Sequence, residues 1–90
     1  MKTYRLIVSG RVQGVSYRKF VLEVAKTLNY VGYVRNLDDG TVEVYVNADY
    51  DEDLEFFVSK LYDGSLFSHV QNIAIEEVAL EFFDSFEKRF

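Results

Sequence analysis

Apolar and polar residues change their period several times along the chain, and each change marks an element boundary. Tyr4, Leu6 and Val8 alternate with Arg5 and Ser9, the period of a half-buried strand, which ends at Gly10. From Ser16 the spacing turns helical: Tyr17, Phe20, Val21, Val24, Ala25 and Leu28 share one face, with Lys19, Glu23 and Lys26 on the other. Asn29 is a stop for that helix. Tyr30 to Asn36 then reads as a second strand, and Leu37-Asp38-Asp39-Gly40 as a hairpin turn in which glycine supplies positive φ. Thr41 to Asn47 returns as a third strand, with Val42, Val44 and Val46 toward the core and Glu43, Tyr45 and Asn47 on the opposite face.

Asp49 and Asp51 are N-cap candidates for a second helix with Leu54, Phe57, Val58 and Leu61 as its buried stripe and Gly64 as its end. Its acidic first turn suits the helix dipole. After a loop through Ser68, Val70 to Val78 carries a fourth strand, in which Ile73 and Ile75 fall out of step with Val78 and Leu80, as a bulge would produce. The tail Phe82 to Phe90 offers a short edge strand through Phe86 and Phe90. The order strand, helix, strand, strand, helix, strand is the ferredoxin-like βαββαβ arrangement: an α+β sandwich of an antiparallel sheet with two helices on one face. No linker or repeat interrupts residues 1–90, so a single domain is expected.

Composition narrows what this domain can do. Its 90 residues, 49% apolar, suffice for one packed core. There is no cysteine, hence no disulfide framework or thiolate nucleophile, and a single histidine, His69, leaves little with which to build a soft-metal site. No metal or cofactor is expected. Near the N-terminus only Leu6-Ile7-Val8 forms a continuous apolar run, far short of an export signal or a membrane span. A cytoplasmic monomer with no membrane partner is the expectation. The net charge of −5 conceals a division: residues 1–35 hold seven Lys/Arg against Glu23 alone, and residues 36–90 hold three against fourteen acids. A basic island in an acidic chain suits a small anion better than a nucleic-acid backbone.

That island contains Gly10-Arg11-Val12-Gln13-Gly14-Val15-Ser16-Tyr17-Arg18, two glycines and an arginine between strand and helix. Unpaired amides at a helix start meet the positive end of the dipole and favour a phosphate-sized anion. The backbone N–H groups of Gln13, Gly14, Val15, Ser16, Tyr17 and Arg18 are the candidate donors. The Arg18 guanidinium can add a two-pronged bond to phosphoryl oxygens, which lysine cannot copy. Taken alone, Arg18 would read as a surface helix residue, but a helix N-terminus disfavours a cation unless an anion accompanies it.

These residues, together with Gly32-Tyr33-Val34-Arg35-Asn36 and Asp39-Gly40-x-Val42-Glu43, resemble the acylphosphatase family in order and spacing across the whole chain. The resemblance implies metal-independent hydrolysis of a small acyl phosphate to carboxylate and inorganic phosphate. It implies that Arg18 clamps the phosphoryl group, that the amides from Gln13 through Arg18 floor the cradle, and that Asn36 holds the attacking water. The substrate's own phosphate oxygens would accept the proton. Two departures from the family's usual pattern stand out: Tyr33 where tryptophan is frequent, and Lys88 where an apolar residue is usual, which predicts a weakly docked last strand.

The remaining chemistry-bearing residues carry blander expectations. Arg11 and Arg35 read as strand-end or steering arginines, and His69 as a surface residue. Tyr45, Tyr50, Phe56 and Phe57 read as packing, since the signature of an RNA-reading sheet is absent. The same cradle would also serve a non-catalytic anion-binding or partner-binding module; turnover of a generic acyl phosphate separates these.

Overall fold

The computed structural model describes residues 1–90. The elements are β1 (Lys2–Arg11), α1 (Tyr17–Thr27), β2 (Gly32–Asn36), β3 (Val42–Ala48), α2 (Glu52–Asp63), β4 (His69–Val78) and β5 (Phe86–Arg89). They form one five-stranded sheet in the order β4-β1-β3-β2-β5. Neighbours among the first four strands are antiparallel, as the βαββαβ arrangement requires. No helix is long and apolar enough to cross a membrane.

The fifth strand is the short edge strand expected of the tail, and its direction makes the sheet mixed. It pairs parallel to β2, from Gly32↔Phe86 to Arg35↔Arg89. Backbone geometry explains the direction. β4 ends beside Thr3, and Glu81 then bonds to both Thr3 and Asn47 at the end of the sheet where β2 begins. A strand added there leaves in the direction of β2. Phe86, 4% exposed, anchors it in the core, so the strand docks despite Lys88.

One face of the sheet packs on the helices. Leu6, Val8, Val34, Val42, Val44 and Val46 are fully buried there against Val21 and Ala25 of α1 and Leu54, Phe57 and Leu61 of α2. Each such side chain contributes about 1.5–3 kcal/mol by leaving water. Asp51 caps α2 by accepting from Leu54 N at 3.1 Å, whereas Asp49, the other cap candidate, pairs with the N-terminal amine. β2 starts two residues later than its pattern suggests, because left-handed Asn29 and a bond from Tyr30 N to Ala25 O still belong to the end of α1.

The bulge expected between Ile75 and Val78 does not form, since the register with β1 is regular from Asn72 to Val78; the irregularity falls instead at Gln71, between the pairs Ser9↔Asn72 and Gly10↔Val70. Gly10 stands opposite it at φ 127°, where a Cβ would collide with the His69 carbonyl. The crowding requires glycine. Here β1 turns away from the sheet toward α1. His69 opens β4 on the outer edge of the sheet, exposed.

The opposite face hides a carboxylate. Glu43 is 2% exposed and accepts from Arg5 Nε and Arg35 Nε at 2.7 Å each and from Tyr33 OH at 2.8 Å. Tyr33 stacks on Tyr45, with ring centroids 4.8 Å apart. Arg35 is therefore a structural partner. Burial pushes the Glu43 carboxyl up, but the bonds from Arg5, Tyr33 and Arg35 outweigh it and hold the group below its ordinary value.

Glu43→Gln should lower unfolding stability by about 2–4 kcal/mol near neutral pH, since it leaves two arginines facing a neutral amide. A carboxyl with a lowered folded value contributes fully above the ordinary glutamate range, about 4.3, and loses that contribution as pH falls through the folded value. Urea unfolding at several pH values should therefore show the two proteins converging in acid. Equal midpoints at pH 7 would count against the network.

Candidate active site

The loop between β1 and α1 is shaped by two left-handed residues, Gly14 at φ 72° and Ser16 at φ 61°. Alternating such a conformation with ordinary backbone turns successive N–H groups into one concavity. Ser16 is the N-cap of α1, yet its side chain caps nothing. No N–H from Gln13 through Lys19 donates to a protein acceptor, and the first helical bond runs from Phe20 N to Ser16 O at 3.2 Å. The two helices differ sharply at their starts. α2 has a capping aspartate and Glu52, Asp53 and Glu55 in its first turn; α1 has no acid there. The positive end of α1 is left for a visitor to neutralise.

Four side-chain bonds from three residues hold this loop open. Gln13 Nε2 donates to Leu37 O at 2.8 Å and to Thr41 O at 2.9 Å, tying the loop to the hairpin that follows Asn36. Ser65 Oγ donates to Val15 O at 2.9 Å from the far end of α2. Tyr17, 1% exposed, donates its hydroxyl to Leu61 O at 2.8 Å, and burial pushes its pKa up.

Arg18 lies in the first turn of α1 and forms no ion pair. Its Nη1 donates to Arg89 O at 2.8 Å, and its guanidinium carbon stands 4.8 Å from the centre of the Phe90 ring. The end of the chain thus fixes the direction of the fork. Asn36 closes β2 on the helix-facing side, and its Oδ1 is buried without a protein donor.

A cleft of about 350 Å³ joins these parts, lined by Val12, Gly14, Ser16, Arg18, Lys19, Asn36 and Lys88. Of the residues the sequence singles out, Gly14, Ser16, Arg18 and Asn36 meet in it. Gln13, Val15 and Tyr17 do not line it: the Gln13 side chain bonds to the hairpin, Val15 packs against the core and Tyr17 is buried. Lys19 and Lys88 are additions. Helical spacing assigns Lys19 to the outer face, but so near the N-terminus it reaches the cleft; a basic pair at an acid-free helix start was the signal available. Lys88 had no local signal, because its position depends on the parallel pairing with Val34. No carboxylate, imidazole or thiol lines the cleft, and no cluster of three or more such groups suited to a metal occurs in the chain.

Comparison with known proteins agrees with this construction. The acylphosphatase family profile matches residues 4–88. An acylphosphatase of Bacillus licheniformis is 43% identical over 88 residues, covering 98% of this chain and 94% of that one. The crystal structure of acylphosphatase from Bacillus subtilis superposes with a TM-score of 0.93 at 40% identity, covering all of both chains. A Coxiella burnetii acylphosphatase superposes at 0.89 with 31% identity, covering 98% of this chain and 92% of the other. With the family profile matched over residues 4–88 and relatives matched over nearly its full length, the chain belongs to the acylphosphatase family.

Proposed function

We propose that this member of the family hydrolyses small acyl phosphates to carboxylate and inorganic phosphate without a metal ion, using Arg18, the amides from Gln13 through Arg18, and Asn36. The observation that carries the reading is the run of unpaired amides at an acid-free helix start, beside an unpaired arginine, in one cleft with a buried, unpartnered Asn36 Oδ1. The amides and Arg18 bind the equatorial phosphoryl oxygens and stabilise their charge as the bond to the leaving oxygen stretches. One preorganised donor of this kind is worth about 2.7–4 kcal/mol in the barrier.

Asn36 Oδ1 accepts a hydrogen bond from water and aims its oxygen at phosphorus without adding a charge that repels the substrate. As the new P–O bond forms, the bond from phosphorus to the acyl oxygen breaks, and the carboxylate leaves with the electron pair. The water's proton passes to a phosphoryl oxygen, since no carboxylate or imidazole lines the cleft to accept it. Carboxylate is a good leaving group, so positioning and charge stabilisation suffice. All parts of the site come from one chain, which suits a monomer, and the reading places it in the cytoplasm.

Arg18→Ala should abolish measurable turnover of acetyl phosphate and weaken competitive inhibition by inorganic phosphate, with an unchanged circular dichroism spectrum; Arg18→Lys should restore little. Retention of more than half of kcat/KM would move the clamp elsewhere, with Arg11 the next candidate.

Asn36→Ala should lower kcat by about 10²-fold or more and leave the phosphate inhibition constant nearly unchanged, the pattern of a group that acts on water. Equal losses in phosphate binding with kcat preserved would make Asn36 a binding or turn residue.

Gln13→Ala removes both bonds to the hairpin while keeping its own amide. It should cost about 1–2 kcal/mol in urea unfolding and lower kcat/KM as the cradle drifts from Asn36. Wild-type kinetics in a destabilised variant would separate loop support from catalysis.

A chelator should leave turnover unchanged. Activity lost with chelator and recovered on adding Mg²⁺ would replace this mechanism with a metal-assisted one.

A further inference from the structure

The phosphoryl reading leaves positive charge unaccounted for. The loop amides and Arg18 suffice for a phosphoryl group, yet Lys19 and Lys88 line the same cleft, and neither forms an ion pair with any carboxylate. Lys19 extends from the helix that carries the cradle. Lys88 comes from a different wall: it pairs with Val34 on β5, and alternation puts it on the same side of the sheet as buried Phe86. Its Nζ stands 5.4 Å from the centre of the Phe90 ring, and the Arg18 guanidinium stands 4.8 Å from the same ring. One aromatic ring therefore contacts two cations from separate elements, whose mutual repulsion is relieved by an anion placed near both. The rest of the lining points the same way. Val12 is the one apolar residue in the cleft, so an alkyl or aryl group finds little surface to bury against.

Resting on the phosphoryl-site reading, we infer that Lys88 is a specificity residue that makes the cleft prefer acyl phosphates whose acyl group bears a second anionic group, such as the monophosphates of dicarboxylic acids. The phosphoryl end occupies the loop amides and Arg18, and the distal carboxylate approaches the Lys88 ammonium on the strand wall. Because Lys88 is exposed, the preference is electrostatic and sensitive to salt.

The test uses a matched pair of substrates, adipoyl phosphate and hexanoyl phosphate, which differ by a terminal carboxylate in place of a methyl. Wild-type protein should show the higher kcat/KM for adipoyl phosphate at low ionic strength. Lys88→Met, which keeps length and supplies the apolar character that suits a sheet position, should reduce the adipoyl-to-hexanoyl ratio about fivefold, chiefly through KM. Lys88→Arg should retain the ratio, and added KCl should shrink it in the wild type. Binding of the hydrolysis-resistant adipoyl- and hexanoylphosphonates, followed by NMR titration, reports the same preference independently of turnover. Wild-type and Lys88→Met proteins with the same ratio in both measurements would overturn the inference, however far the absolute rates fall. Selective binding of adipoylphosphonate without turnover of either acyl phosphate would sustain the role of Lys88 and overturn the hydrolase reading instead.

Discussion

The organising constraint of this molecule is a helix start whose backbone donors are kept unpaired. Free N–H groups are costly when buried and are ordinarily satisfied by a capping side chain. At α1 the chain does the opposite: Ser16 takes a left-handed conformation, its hydroxyl caps nothing, and no acid follows in the first turn. Such a loop would collapse onto itself or be capped by a neighbour unless it were held from outside. Gln13 and Tyr17 anchor it to the hairpin and to α2, Ser65 reaches in from beyond the end of α2, and all three use side chains against carbonyl oxygens. Their bonds consume acceptors and leave every amide of the cradle free.

Arg18 belongs to the same design. A cation at the positive end of a helix is unfavourable by itself, and its placement is stabilised by the Arg89 carbonyl and the Phe90 ring. Those partners arrive only because β5 lies parallel along β2, and β5 lies there because the segment around Glu81 crosses the face of the sheet opposite the helices. The crossing and the Glu43 network together cover a face that would otherwise be a flat, hydrated sheet. The two faces of the sheet thus serve one end: apolar packing positions the helix, and polar contacts on the reverse carry the chain round to the helix start.

Charge is segregated along the same lines. Glu43 binds Arg5 and Arg35 on the reverse face, withdrawing both from the cleft. Asp51, Glu52 and Asp53 gather at the start of α2, where the dipole accepts them. What remains unpaired around the cleft is Arg18, Lys19 and Lys88, so a chain of net negative charge presents a local positive field to a small anion.

Periodicity alone determined the four antiparallel strands, both helices and their buried faces, because these depend on residues a few positions apart whose burial pattern is local. The glycine loop and Arg18 stood out for a related reason, since the proposed anion site, made of backbone at a strand-to-helix junction, leaves its trace in consecutive residues; Asn36 entered only through the family resemblance. What lay beyond the sequence was everything fixed by pairs distant in the chain. The parallel docking of β5 follows from where β4 ends in space. The burial of Glu43 depends on arginines from two other positions in the sheet, and the meeting of Lys88 with Lys19 depends on a strand pairing that no short-range pattern encodes. Alternation tells which side of a strand a residue occupies; only the assembled sheet decides whether that side holds core, water or a cleft.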